Sequence, residues 1–230
     1  MSPSRTVPVA IVVAGLIVAW ALYSAMDGPW PPFTLLGGGG QGNPSLVRPV
    51  GPSDHILGNP TAPVIIVEYC DFDSEFCKGF AATLHEIVAT EGAGGEVAVV
   101  YRAFPLSQKH LNALSHAYAA ECAAQVAGND AFWRFADELY AAQPAFPSRY
   151  GELAKAAGIP GDAFASCYAD AATQVGARIK EDSQNALDIG ATGTPYSLLL
   201  VRGKAPVVLD GAYTYDALKQ IVEQALGKAP

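Results

Sequence analysis

A short apolar run that ends on a cysteine and gives way at once to a helix constrains this chain most. Val64-Ile65-Ile66-Val67-Glu68-Tyr69-Cys70, preceded by Pro63, is rich in β-branched residues. Such a run reads as a strand buried on both faces, as in the middle of a sheet. Ser74 is a good N-cap. After it Phe76, Phe80, Leu84 and Ile87 recur at helical spacing, and Gly92 marks the end. Glu96 to Phe104, EVAVVYRAF, is a second buried strand. Strand, helix and strand in this order make a βαβ unit.

A block of helices is expected next. Leu111, Leu114, Tyr118 and Cys122 form one stripe. Asn129 can cap a helix carrying Phe132, Ala136, Leu139 and Tyr140. Ser148 can cap a short one ending near Gly158. Asp162 opens another with Phe164, Cys167 and Tyr168 on one face, and Val175 and Ile179 line a longer one that stops at Gly190. Strands return at Tyr196 to Val201 and Val207 to Leu209, which flank the turn-like Gly203-Lys204 and read as an antiparallel hairpin. Thr214 then caps a last amphipathic helix with Leu218, Ile221, Val222 and Ala225. The fold class expected is α/β: βαβ, a helical insertion at about 107–190, then ββα.

The N-terminus has its own organisation. Val7–Met26 holds no charged residue and is long enough to cross a bilayer as one helix. Arg5 before it and Asp27 after it place the short tail in the cytoplasm and the remainder outside. A cleaved signal peptide is the alternative. Residues 27–54, with four consecutive glycines at 37–40, read as a Gly/Pro-rich tether, leaving 55–230 as the globular domain. The localisation expected is the cell membrane, single-pass, with the domain on the extracytoplasmic side, where disulfides persist. The net charge of −8, with no Lys/Arg cluster, argues against nucleic acid as a partner.

Three motifs in order carry a resemblance. The first is Val67-Glu68-Tyr69 running into Asp71-Phe72-Asp73 and Phe76-Cys77-Lys78. The second is Tyr101-Arg102-x-Phe104-Pro105-Leu106, followed by His110-x-Asn112-Ala113 and Glu121-Cys122-Ala123-Ala124. The third is Thr192-Gly193-Thr194-Pro195. Over residues 55–228 the chain resembles the DsbA family, a thioredoxin fold with a helical insertion, in its membrane-anchored bacterial form. The resemblance implies a thiol-disulfide oxidoreductase acting on protein or peptide thiols and disulfides, served by a membrane redox partner and needing no cofactor. It implies a cis proline at Pro195, with Thr194, Glu75 and Phe76 beside the bound client.

The departure is Ser74. It stands where the family has its attacking cysteine, and Cys77 stands where the family has its resolving one. A serine hydroxyl forms no disulfide and is a poor nucleophile without an adjacent base. Three readings remain. Cys70 replaces the missing partner and Cys70–Cys77 is the redox pair, which requires Cα atoms about 4.4–6.8 Å apart. Or Cys77 acts alone, as a monothiol. Or redox chemistry is gone and the groove binds extended peptides. A variant of the last has Ser74 holding the thiolate of glutathione, as in glutathione transferases of related fold. Cys122 and Cys167, each on an apolar stripe of the insertion, are expected to form a structural disulfide. No metal site is expected. His55, His85, His110 and His116 do not pair at the spacing that puts two ligands on one helix face.

Overall fold

The computed structural model describes residues 42–228. The expected anchor at 7–26 and the first part of the tether lie outside the described residues. Among the described residues no helix is long and apolar enough to cross a membrane.

Five strands make one sheet: β1 (His55–Gly58), β2 (Val64–Cys70), β3 (Val97–Ala103), β4 (Tyr196–Val201) and β5 (Val207–Asp210), in the order β1-β3-β2-β4-β5. β2 and β3 are parallel, with Val64 opposite Val97 and Cys70 opposite Ala103. The other pairings are antiparallel. The parallel pair needs a crossover, and α1 (Glu75–Thr90) supplies it. β2, the apolar run, is central, and six of its seven residues are buried. Its alternation feeds two cores. Val64, Ile66 and Cys70 meet Phe80, Leu84 and Ile87 of α1, and Leu218 and Val222 of α8 (Tyr215–Ala225). Val67 and Tyr69 face the other way, toward Ala186 and Ile189 at the end of α7 (Gly176–Asp188).

Between β3 and β4 lie α2 (Ala113–Ala127), α3 (Asn129–Ala141), α4 (Tyr150–Ala156), α5 (Gly161–Ala169), α6 (Ala171–Gln174) and α7. A bond joins Cys122 of α2 to Cys167 of α5 (S–S 2.02 Å). Thr214 caps α8, accepting from the Ala217 N–H.

Several details depart from the sequence reading. β1 carries no strand pattern in the sequence. It pairs His55 with Tyr101 and Gly58 with Ala98, and its outer edge is closed by Asn129, whose amide accepts from Ile56 N at 2.9 Å and donates to Ile56 O at 2.8 Å. Asn129 is therefore the first residue of α3 rather than its cap, because an unpaired strand edge claims its side chain. Ser148 caps nothing. It sits in a 3-10 turn (Pro147–Arg149) ahead of α4, and α5 opens on Gly161 behind Pro160, one residue before Asp162. The stripe on α2 is also shifted. Leu111 precedes the helix and is 93% exposed, and Leu114 is 38% exposed. Ala113, Ala117, Ala120 and Cys122 pack inward, since small side chains let α2 lie close to its neighbours.

The Gly/Pro-rich stretch does not run free to residue 54. Residues 43–54 are strapped to the sheet and to α7. Asn43 N donates to Asp188 O at 2.9 Å, and a Cβ on Gly42 would run into the Gly190 backbone, where Gly190 turns with φ +97°. Deeper in, the guanidinium of Arg102, fully buried on β3, grips Asp54 through Nε at 3.0 Å and Nη2 at 3.0 Å. Its Nη1 donates to the Tyr69 hydroxyl, which donates to Asn185 Oδ1 at 2.5 Å. Arg48 bridges from the strap to Asp182 at 2.6 Å. Burial alone would push the Asp54 carboxyl up, but the hydrogen bonds and charge of Arg102 outweigh it and hold Asp54 below the ordinary range.

Candidate active site

The site lies where β2 ends and α1 begins. Cys70, the last residue of β2, is bonded to Cys77, the third residue of α1, with S–S 2.01 Å and Cα–Cα 6.0 Å. The sulfurs meet because three residues, Asp71 to Asp73, fold back between strand and helix. Ser74 N donates to Asp71 O at 3.0 Å, and the Asp71 N–H points at Cys77 Sγ at 3.3 Å.

This turn is held from the insertion side. The buried Asp71 carboxylate accepts from its neighbour Asp73 N at 2.9 Å and from Leu106 N at 2.9 Å, and meets His110 Nδ1 at 2.8 Å. The Asp73 carboxylate accepts from Asn112 N at 3.1 Å. Gln143 Nε2, in the loop after α3, donates to Phe72 O at 3.2 Å. The Phe72 ring stacks on Tyr101 at 4.7 Å and meets Phe132 and Tyr140 of α3.

Ser74 has one visible task. Its buried side chain accepts from the Cys77 N–H at 3.4 Å, as the N-cap of α1. A hydroxyl so enclosed is not presented to a glutathione thiolate. Glu75 and Phe76 point outward, and Phe76 is 72% exposed. Two other large apolar side chains are Leu111, next in sequence to the His110 that touches Asp71, and Phe146, next in sequence to the Ala145 carbonyl that accepts from Asn112. Both are exposed. The Thr194-Pro195 peptide is cis. Pro195 immediately precedes Tyr196, which pairs with Tyr69, so it stands in line with Cys70 across the sheet.

Both sulfurs are enclosed. Cys70 and Cys77 have no exposed surface. Beside them lies a residue that the sequence reading passed over. Glu68 faces the same way as Ile66 and Cys70, and one oxygen of its carboxyl lies within 4.8 Å of both sulfurs. It is 2% exposed, Oε1 has no hydrogen-bond partner, and burial pushes its pKa up to about 8. Its cross-strand neighbours are Tyr101 and Ser197. Neither is a cation, and burial holds the Tyr101 phenol well above its ordinary range. The signal was present in the sequence: Glu68 is the one ionisable carboxyl inside an otherwise apolar strand.

Glu68, Cys70 and Cys77 are the one group of His, Cys, Asp or Glu atoms close enough to share an ion among the described residues. With the sulfurs bonded to each other they are not a ligand set. What the arrangement offers is a disulfide at a helix N-terminus beside a buried carboxyl that is neutral at pH 7.

Known proteins agree with this frame. The chain is 31% identical over 199 residues to a Na(+)/H(+) antiporter NhaA 1 of Mycolicibacterium gilvum, covering 85% of this chain but 30% of the relative. It thus spans about a third of the length of that relative. Among solved structures, alpha-DsbA1 of Wolbachia pipientis superposes with TM-score 0.66 at 20% identity, covering 81% of this chain and 96% of that one. A periplasmic thioredoxin-like protein from Salmonella enterica serovar Typhimurium gives TM-score 0.61 at 17% identity, covering 80% and 95%. The family model described as thioredoxin matches residues 51–224, and with a DsbA-like helical insertion in the sheet's long crossover, this chain belongs to the thioredoxin family.

Proposed function

We propose that the chain is an extracytoplasmic thiol-disulfide oxidoreductase whose working pair is Cys70–Cys77, with Ser74 reduced to a cap. The observation that carries this reading is the bond itself. It occupies the strand-to-helix junction, beside a neutral buried carboxyl, with an exposed phenylalanine at its rim. In the oxidising direction a client thiolate attacks one sulfur and the other leaves as a thiolate. A second client thiolate then attacks the mixed disulfide and releases the second sulfur. The client gains a disulfide, and Cys70 and Cys77 are left reduced. Glu68 supplies a proton to the sulfur that leaves second, inside the core, where a bare thiolate is costly. It recovers that proton from solvent when the site opens.

Phe76, Glu75, Leu111, Phe146 and Thr194 form the client-facing rim in this reading. The expected anchor at 7–26 holds the domain outside the membrane, where a membrane redox partner re-oxidises the pair by the same exchange. Likeness to part of an antiporter supports work close to a membrane.

A second reading rests on one observation, the complete burial of both sulfurs. It keeps the rim and gives up the exchange: a client-binding member whose Cys70–Cys77 bond is structural. Titration of the folded domain, residues 42–230, in glutathione buffers separates the two, with each bond followed by mass mapping. Oxidoreductase activity requires that Cys70–Cys77 open while Cys122–Cys167 stays closed, and that the oxidised protein convert a dithiol peptide to its disulfide. If Cys70–Cys77 opens only on unfolding, the binding reading stands.

A further inference from the structure

We propose that His110 is a positioning residue: it locks Asp71 so that the Asp71 N–H stays on the Cys77 sulfur, making Cys77 the thiolate end of the reduced pair. The inference rests on the oxidoreductase reading for its use, though not for its geometry.

The two sulfurs are not equivalent. Cys77 Sγ receives the Asp71 N–H at 3.3 Å and sits in the first turn of α1, where the helix end favours negative charge. Cys70 Sγ receives no hydrogen bond among the described residues and closes a buried strand. The N–H that makes the difference belongs to the residue whose carboxylate is clamped. Leu106 N and His110 Nδ1 hold one Asp71 oxygen, and Asp73 N holds the other. A carboxylate only accepts, so His110 donates from Nδ1. Of the three donors, His110 is the only side chain, and it is partly exposed while Asp71 is buried. The other charged or titratable groups around Asp71 are Asp73, Glu68, Tyr101, Tyr140 and His116. None replaces the lost donor. His116 is turned to Asp73 and to the Tyr150 hydroxyl.

Without His110 the Asp71 carboxylate keeps two backbone donors and can swing. The peptide that carries its N–H stays fixed at the Cys70 carbonyl, which accepts from Phe104 N at 2.8 Å and from the Tyr101 hydroxyl at 3.0 Å, so its N–H end is what tilts away from Cys77. In exchange chemistry the lower-pKa sulfur is the better leaving group. Client attack on Cys70 then expels Cys77 as thiolate, and the clamp sets how readily.

The test reads Cys77 alone. In a C70A background with Cys122–Cys167 intact, the alkylation rate of Cys77 is followed against pH by mass spectrometry of its peptide. H110A is expected to raise the apparent thiol pKa by roughly one unit, slowing alkylation near neutrality about tenfold. H110N, which puts an amide donor near the Nδ1 position, should regain most of this, while H85A, two turns further along α1 where His85 meets Asp137 and Trp133 of α3, should leave the profile unmoved. Equal profiles for H110A and His110 protein overturn the inference. Should H110A not fold, H110Q, whose amide reaches past that position, replaces it and must show the same shift. A shifted Cys77 profile in a protein whose Cys70–Cys77 bond never oxidises a dithiol peptide upholds the clamp and removes the oxidoreductase reading.

Discussion

Replacing Glu68 with Gln should leave a clear pH signature on stability. The carboxyl is buried without a partner, and its pKa rises from the ordinary 4.5 to about 8. Below pH 4.5 it is neutral folded or unfolded and costs nothing. Between 4.5 and 8 the unfolded chain has released the proton while the folded one keeps it. Each pH unit in that window therefore lowers stability by about 1.4 kcal/mol. Above 8 the loss is complete and constant. From pH 5 to pH 8 Glu68 thus removes about 3–4 kcal/mol from the wild-type protein and nothing from E68Q. Gln brings its own cost, an amide with unmet hydrogen bonds, but that cost does not change with pH and cancels. Every other titrating group is common to both proteins. Urea unfolding at pH 5, 6, 7 and 8, with both disulfides closed, gives the stability difference at each pH. It should shift by about 3–4 kcal/mol in favour of E68Q across that range. A difference constant to within about 1 kcal/mol would mean that Glu68 is solvated or paired. The neutral acid beneath the disulfide would go with it.

Three other changes have readable outcomes. R102M removes the two hydrogen bonds that Arg102 donates to Asp54 and should cost about 3–5 kcal/mol at pH 7. The cost should hold at pH 4 and fall only below pH 3.8, as the Asp54 that Arg102 keeps ionised takes up its proton, and chemical denaturation across this range checks it. Replacing Cys122 and Cys167 with Ala opens a crosslink spanning 45 residues, whereas replacing Cys70 and Cys77 opens one spanning 7. Urea midpoints should show about 4 kcal/mol lost in the first case and about 2 in the second, on loop entropy alone. F76S, at a residue 72% exposed, should leave stability within about 0.5 kcal/mol while weakening binding of an apolar dithiol peptide in calorimetry.

The strands β2 and β3, the helix α1, the closing hairpin and the final helix were legible because each is a single dominant pattern: a continuous apolar run or a stripe at helical spacing. What escaped was set by partners distant in sequence. β1 is four residues, HILG, in a Gly/Pro-rich region, and it is a strand because β3 offers it an edge and Asn129 covers the other side. Asn129 and Ser148 looked like caps by type, but type does not reveal that a strand edge or a 3-10 turn competes for the residue. Leu111 and Leu114 fitted a helical stripe, yet alanines fill the close contact and the leucines are exposed. The pairing of Cys70 with Cys77 stayed open in the sequence for a definite reason. The span between them is shaped by Leu106, His110 and Asn112, more than thirty positions further on. Glu68 was readable in principle, as a lone carboxyl in a buried strand, but only burial shows that it lacks a counter-charge.

Phe72 ties the turn between the cysteines to Phe132 and Tyr140 of the insertion, and Gln143 and His110 reach the same turn from loops of that insertion. The helical block is therefore no removable accessory. A chain trimmed to the bare sheet and its flanking helices would keep the cysteines and lose the wall that brings their sulfurs together. Grafted onto another thioredoxin scaffold, the segment from Glu68 to Cys77 would arrive without its mould. The inheritable and transplantable unit is the turn together with the insertion, and recombination within the family has to move them as one block.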